Sequence, residues 1–180
     1  EYNLTVNNTD FGMATNHGDT ILLHDDTAAF TLELDLRSHS GAVINASAAS
    51  GVSVINSTIT EENDPRGNGL DGEGISFLTL DASGLDDVTI ENVTVDGATE
   101  NTEVDGAIEI VDLNESAAIE ITELSLTDTG THGLVVNTDI ETMTVDGSEI
   151  HTVGGYGIET GARLSAFELN GTNITKTDQE

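Results

Sequence analysis

The chain has no cysteine and no tryptophan, one proline, and only 3% aromatic residues across 180 positions. Without cysteine there are no disulfides and no thiol chemistry, so the fold is not of the disulfide-stapled kind. Scarce aromatics point to a core built from small aliphatic side chains. Basic residues are scarcer still: 4 Lys and Arg stand against 34 Asp and Glu, a net charge of −30. Nucleic-acid binding is excluded on this ground, because neutralising phosphates takes Lys and Arg. Anionic membrane surfaces and heparin-like polymers are disfavoured for the same reason. No apolar run is long enough to span a bilayer. The sequence shows neither an initiator methionine nor a signal-peptide pattern, and it is expected to be a segment of a longer exported protein.

What the chain does have is a repeat. Five times it spells apolar, any, apolar, any, turn residue, any, any, apolar: from Val52 to Ile59, Val88 to Val95, Ile119 to Leu126, Met143 to Ile150 and Phe167 to Ile174. The copies are spaced 36, 31, 24 and 24 residues apart. Self-similarity on this scale signals a stacked array. Within a copy the first two apolar residues are two apart, which is strand periodicity with one face inward. The fifth residue is Asn56, Asn92, Glu123, Gly147 or Gly171. Asn and Gly tolerate a left-handed backbone at low cost, so a sharp corner is predicted there, with Glu123 the most strained. A third strand is expected before each copy, marked by Gly41, Gly74, Gly106, Gly133 and Gly157. Three short strands per repeat describe one three-sided coil of an all-β solenoid of five to six coils. The surplus residues of the longer repeats form corner loops.

Stacking makes a second prediction. Equivalent positions in successive coils lie about 4.8 Å apart. The second repeat position then reads Ser53, Thr89, Glu120, Thr144, Glu168; the fourth reads Ile55, Glu91, Thr122, Asp146, Asn170; the seventh reads Thr58, Thr94, Ser125, Glu149, Asn173. No column places two carboxylates side by side, which supports the register, because like charges directly opposite are destabilising.

The pattern Val-x-Val/Ile-x-Asn-x-x-Ile/Val at Asn56 and Asn92 resembles the right-handed parallel β-helix of the pectin-lyase-like superfamily, over residues 18 to 175. The run from Gly147 to Ile158, with its Gly154-Gly155-Tyr-Gly157-Ile158, is similar to passenger domains of bacterial autotransporter adhesins. The resemblance implies a single β-helix domain over 1–180, with 1–40 an N-terminal cap and irregular first coil and 41–180 regular coils.

Candidate chemistry concentrates in loops. The insertion from Thr60 to Gly74 carries Glu61, Glu62, Asp64, Asn68, Asp71 and Glu73 among glycines. Such oxygen-rich runs suit Ca²⁺, which takes six to eight oxygen ligands. The insertion in the next coil, with Glu100, Glu103 and Asp105, is expected to lie beside it as one acidic lobe with a binding role. A solvated loop is the plainer reading of both. A second acidic edge holds Asp81, Asp86, Asp87, Asp112 and Glu115, expected as solvated turns. Three causes of the acidity stay open: a solvated surface, bound divalent cations, or adaptation to high salt.

Enzymatic activity is not expected. The resemblance to superfamily lyases implies a basic residue on a coil face, and only Arg37, Arg66, Arg163 and Lys176 are offered. The resemblance to superfamily hydrolases rests on Asn137-Thr-Asp139 alone; the paired aspartates, the Gly-His-Gly and the Arg-Ile-Lys are missing, and Thr131-His132-Gly133 is the nearest approach to the second. The five histidines show no metal spacing. Eight or so Asn-x-Ser/Thr triplets are read as by-products of the corner pattern. The expected role is a secreted, cell-surface adhesin or structural stalk, contacting a host or bacterial protein or glycan, or itself, as in biofilm. A carbohydrate-active enzyme or polysaccharide-binding module is the alternative.

Overall fold

A computed structural model describes residues 2–7, 19–37, 42–60, 78–82, 84–96, 106–129, 132–152, 154–160 and 163–176. Among them the only regular structure is the β-strand. In chain order the strands are β1 (Tyr2–Asn7), β2 (Asp19–Arg37), β3 (Ala42–Thr60), β4 (Leu78–Asp81), β5 (Asp87–Asp96), β6 (Gly106–Val111), β7 (Ala118–Thr122), β8 (Ser125–Thr129), β9 (His132–Val136), β10 (Ile140–Asp146), β11 (Glu149–Thr152), β12 (Ile158–Thr160), β13 (Leu164–Asn170) and β14 (Asn173–Lys176). All the pairings are parallel.

The pairings sort into three ladders. The first runs through residues 19–22, 42–45, β4, β6, β9 and β12. The second runs through β1, 30–32, 52–55, 88–91, β7, β10 and β13. The third runs through 35–37, 58–60, 94–96, β8, β11 and β14. From β2 onward each pass of the chain adds one strand to each ladder in turn. Parallel neighbours need a long crossover; here the crossover is the other two strands of the pass. Thus β2 and β3, at 19 residues each, are each a whole pass around all three ladders.

Alternation sets which side chains turn inward. In the middle repeats, positions one, three, six and eight are buried: Val88, Ile90, Val93 and Val95, then Ile119, Ile121, Leu124 and Leu126. With Leu78, Leu80, Ile108, Ile110, Leu134 and Val136 of the first ladder they form one aliphatic cluster. Burying each such side chain stabilises by about 1.5–3 kcal/mol. The missing aromatic volume is therefore explained: the interior is filled by stacked Val, Ile and Leu.

The three predicted columns occur as hydrogen-bonded register. Ser53, Thr89, Glu120, Thr144 and Glu168 are successive partners, as are Ile55, Glu91, Thr122, Asp146 and Asn170. Thr58, Thr94, Ser125, Glu149 and Asn173 form the column on the third ladder. The rule extends further than expected. Among all described ladder pairs, none sets a carboxylate opposite a carboxylate.

The glycine expected to mark the strand does open β6 at Gly106, but it pairs with His132 rather than with Gly133, so the marker glycines are not themselves a column. The register there is set by the inward pair Ile108 and Leu134. Gly106 meets a separate demand: a Cβ on it would lie 2.7 Å from Val135 Cγ2 and 3.1 Å from the Ile108 carbonyl oxygen. The ordered pairing also begins earlier than the repeat pattern, since β1 and β2 already lie in the ladders. In β2 the pairing steps from Leu32 with Val54 to Asp35 with Thr58, a shift of one residue. That pass lacks the corner residue that Asn56 supplies in the next.

Candidate functional site

The corner between the second and third ladders is built by backbone conformation. Asn56, Asn92 and Glu123 have φ of 47°, 50° and 52°, and Gly147 and Gly171 have 58° and 57°. All five fifth-position residues thus stand in the left-handed region. They form a strip. Asn92 Nδ2 donates to Asn56 Oδ1 at 2.9 Å, and Asn56 Nδ2 reaches Glu33 Oε1 at 3.5 Å. Farther along, Glu123 N–H donates to the Asp146 carbonyl at 3.0 Å and Gly147 N–H to the Asn170 carbonyl at 2.9 Å. Glycine avoids the Cβ penalty of this conformation, and Asn offsets part of it through its local polar bonds.

The residue after the corner carries a device that the repeat pattern, which left this position open, did not reveal. Ser57 and Ser148 are both 1% exposed. Ser57 Oγ donates to the Ile55 carbonyl at 2.8 Å and accepts the Leu34 N–H at 2.9 Å. Ser148 Oγ donates to the Asp146 carbonyl at 3.0 Å and accepts the Leu124 N–H at 3.1 Å. Thr172 Oγ1 likewise donates to the Asn170 carbonyl at 3.1 Å and accepts the Ser148 N–H at 3.3 Å. Each hydroxyl closes its own turn and satisfies the N–H of the equivalent residue one pass earlier. Hydroxyls at this position in three of the five repeats were the available signal.

The second edge lies between the first and second ladders. Asp86 Oδ1 accepts from Asn114 Nδ2 at 2.8 Å and from Ser116 Oγ at 3.3 Å, while Asn114 Nδ2 also donates to the Gly84 carbonyl at 2.9 Å. Asp112 has φ of 62° and Gly84 has 82°, a second left-handed pair, joined by Gly84 N–H donating to the Asp112 carbonyl at 3.3 Å. In the following passes Asn137 Nδ2 donates to Glu109 Oε1 at 3.0 Å. Asp139 Oδ1 accepts the Arg163 N–H at 2.7 Å, and its Oδ2 lies 3.5 Å from Arg163 Nη2. The Asn-Thr-Asp element that resembles a hydrolase motif is thus tied into the neighbouring turns on both sides.

His132, the other hydrolase-like residue, opens β9. Its Nδ1 accepts the Tyr156 N–H at 3.0 Å and lies 2.9 Å from Glu159 Oε2, and its ring stacks on Tyr156 with centroids 5.3 Å apart. Asp96 and Asp81 are likewise engaged: Thr127 Oγ1 donates to Asp96 Oδ1 at 2.5 Å and Asn45 Nδ2 to Asp81 Oδ2 at 3.0 Å.

The expected metal ligands Glu61, Glu62, Asp64, Asn68, Asp71 and Glu73, and the expected binding residues Glu100, Glu103 and Asp105, lie outside the described residues, as does Arg66. Among the described residues no three His, Asp or Glu side chains come together as a group able to hold a metal ion. No helix among the described residues is long and apolar enough to cross a membrane. No protein-family model, curated protein or solved structure matches the chain.

Proposed function

We propose that the three ladders are the faces of a right-handed parallel β-helix, and that this helix is a non-catalytic, rod-like segment of a secreted or cell-surface protein. Its role is adhesive or structural: its flanks contact a protein or glycan surface, or another copy of itself. One observation carries this reading. The polar side chains that an enzyme of this architecture would turn toward substrate, Asn137, Asp139 and His132, are spent on ties to the neighbouring passes. Their bonds to Glu109, Arg163 and Tyr156 lock turns in place. A regular outer surface of Thr, Asn and spaced carboxylates is suited to repeated weak contacts along a flank.

At a net charge of −30, contact with most cell surfaces requires screening. At about 0.15 M salt the Debye length is roughly 8 Å, short enough to permit it. Beads coated with the protein are expected to be retained on a protein or glycan array, or on one another, at that salt, and to leave polygalacturonate and alginate intact. Depolymerisation of either polymer overturns the non-catalytic reading; beads retained nowhere overturn the adhesive one. The oxygen-rich 60–74 segment extends the proposal to calcium. Thermal melting with EDTA and with added Ca²⁺ is expected to differ, and identical transitions remove the metal from it.

A further inference from the structure

One ring nitrogen has two partners that make opposite demands on it. His132 Nδ1 receives the Tyr156 N–H at 3.0 Å and lies 2.9 Å from Glu159 Oε2. To accept from an N–H, the nitrogen must present a bare lone pair. To bond a carboxylate oxygen, it must carry a proton. A neutral imidazole has one nitrogen of each kind, and an imidazolium has two donors. Nδ1 therefore serves one partner at a time, and the proton decides which.

We propose that His132 is a pH-driven switch at the edge where the third ladder passes into the first. With the ring neutral and its proton on Nε2, Nδ1 holds the backbone of the turn that leads into β12. Glu159 Oε2 then meets a lone pair, and its side chain, 39% exposed, turns out to water. When the ring takes up a second proton, Nδ1–H donates to Glu159 in a charge-assisted bond, and Tyr156 N–H gives up this acceptor. The Tyr156 ring lies against the imidazole with centroids 5.3 Å apart and stays there in either state, as a stack or beside a cation. Protonation thus moves the grip of His132 from the turn to β12 itself. The ladder bonds from Gly133 N–H to the Tyr156 carbonyl and from Leu134 N–H to the Gly157 carbonyl are common to both states. The switch loosens one turn and leaves the ladder zipped.

Other charged groups stand on the strands packed against β9. Glu109 on β6 accepts from Asn137. Glu149 and His151 on β11 flank the inward Ile150, so they lie in the outward columns of the third ladder. On β9 itself His132 is the sole titratable residue. Asp128 on β8 and Asp105 just before β6 have side chains outside the described residues. Glu159 is thus the carboxylate that the described geometry sets against Nδ1.

Imidazole nitrogen spectra and amide hydrogen exchange of the intact chain, taken from about pH 8 to about pH 5 where histidines change charge, test this. The expected result is an Nε2–H tautomer at the upper end. Protection of the Tyr156 amide, corrected for the intrinsic pH dependence of exchange, is expected to fall about fivefold as His132 titrates, the loss of one net hydrogen bond. Protection at Leu134 should stay level. His132→Asn sets an amide oxygen near the place of Nδ1, which accepts at any pH, and is expected to keep Tyr156 protected throughout. Glu159→Gln removes the charge that favours a proton on Nδ1, and is expected to move the fall to lower pH. Asp105→Asn and Asp128→Asn are expected to leave the profile in place. An Nδ1–H tautomer at the upper end overturns the inference, as does flat protection at Tyr156 in the wild type. A fall that follows the aspartate variants and ignores Glu159→Gln overturns it too. None of these outcomes touches the bead assay, so the adhesive reading stands or falls separately.

Discussion

The pass through Ile119–Leu126 and the pass through Phe167–Ile174 have the same eight-residue pattern, lie in the same ladders and turn at the same left-handed corner, yet have different surroundings. Ile119, Ile121 and Leu126 are at most 2% exposed, while Phe167, Leu169 and Ile174 are all beyond 38%. Sequence pattern therefore sets where a residue points, and the next pass sets whether it is buried. In repeat arrays with contacts only between neighbours, stability is close to a sum of nearest-neighbour terms. Among the described residues the strands of the middle pass have a neighbour on both sides and those of the last on one.

The largest expected effect breaks that comparison directly. Ile121→Ala is expected to destabilise by about 2–5 kcal/mol, the range for emptying a packed aliphatic site. Leu169→Ala, at the same repeat position, is expected to cost about 1 kcal/mol or less, because much of its surface is already in water. Urea unfolding at concentrations low enough to keep the chain monomeric measures both. Equal losses would mean that the last pass is covered in solution.

The hydroxyl after the corner gives the next effect. Ser148→Ala strands the buried Leu124 N–H, at an expected cost of about 1–3 kcal/mol. Thr172→Val removes the matching bond to Ser148 N–H at the less buried end, and about 1 kcal/mol or less is expected there. Amide hydrogen exchange is the sharper readout: protection at Leu124 should fall in the first variant and persist in the second.

How much of this was legible depends on what specified each feature. The second and third ladders were readable because their apolar pairs and corner residue recur at fixed offsets. Thr89, Glu120 and Thr144 could be aligned from sequence alone, and they are ladder partners. In the first ladder Gly106 marks the start of its strand as expected, but its pairing partner was not legible, because loops of unequal length precede each strand and a glycine can mark either a turn or a close approach. Here the close approach to Val135 decided it. The seats of Ser57 and Ser148 were marked only by hydroxyls in three of five repeats, because Val93 and Leu124 occupy the same inward position. A site that accepts either an apolar residue or a self-satisfied hydroxyl leaves no consensus. On the second edge, Asp86 was readable as a turn acid, and Asp139 only as part of an Asn-Thr-Asp element. Their partners Asn114 and Arg163 come from the next pass, and only the register supplies them.

A smaller effect of opposite sign comes from the corner strip. Glu123 holds φ of 52° with a Cβ, where Gly147 and Gly171 do so without one. A left-handed backbone costs a residue with a Cβ about 1–2 kcal/mol. Glycine returns part of that gain through the greater freedom of the unfolded chain. Glu123→Gly is therefore expected to stabilise by about 0.5–1 kcal/mol, raising the urea midpoint. Gly147→Glu should show the reverse, and a loss on Glu123→Gly would mean that its carboxylate makes a contact outweighing the backbone strain.

The smallest expected effect tests the spacing of charge between the two passes. Thr144 stands in the ladder between Glu120 of the middle pass and Glu168 of the last. Thr144→Glu would stack three carboxylates at about 4.8 Å intervals. Each like-charge neighbour costs roughly 0.2–1 kcal/mol, so about 1 kcal/mol is expected at low ionic strength. Because the column faces outward, 1 M salt, with a Debye length of about 3 Å, should remove most of that loss. Thr175→Glu places a new carboxylate on the last pass beside His151 rather than another acid, and it is expected to change stability by no more than about 0.5 kcal/mol at either salt. A chain with 34 acidic residues has little room to avoid such neighbours by chance. If Thr144→Glu proves neutral at low salt, the separation of carboxylates along the ladders is an accident of sequence. If the loss appears and salt relieves it, that separation is what lets so acidic a chain stack at all.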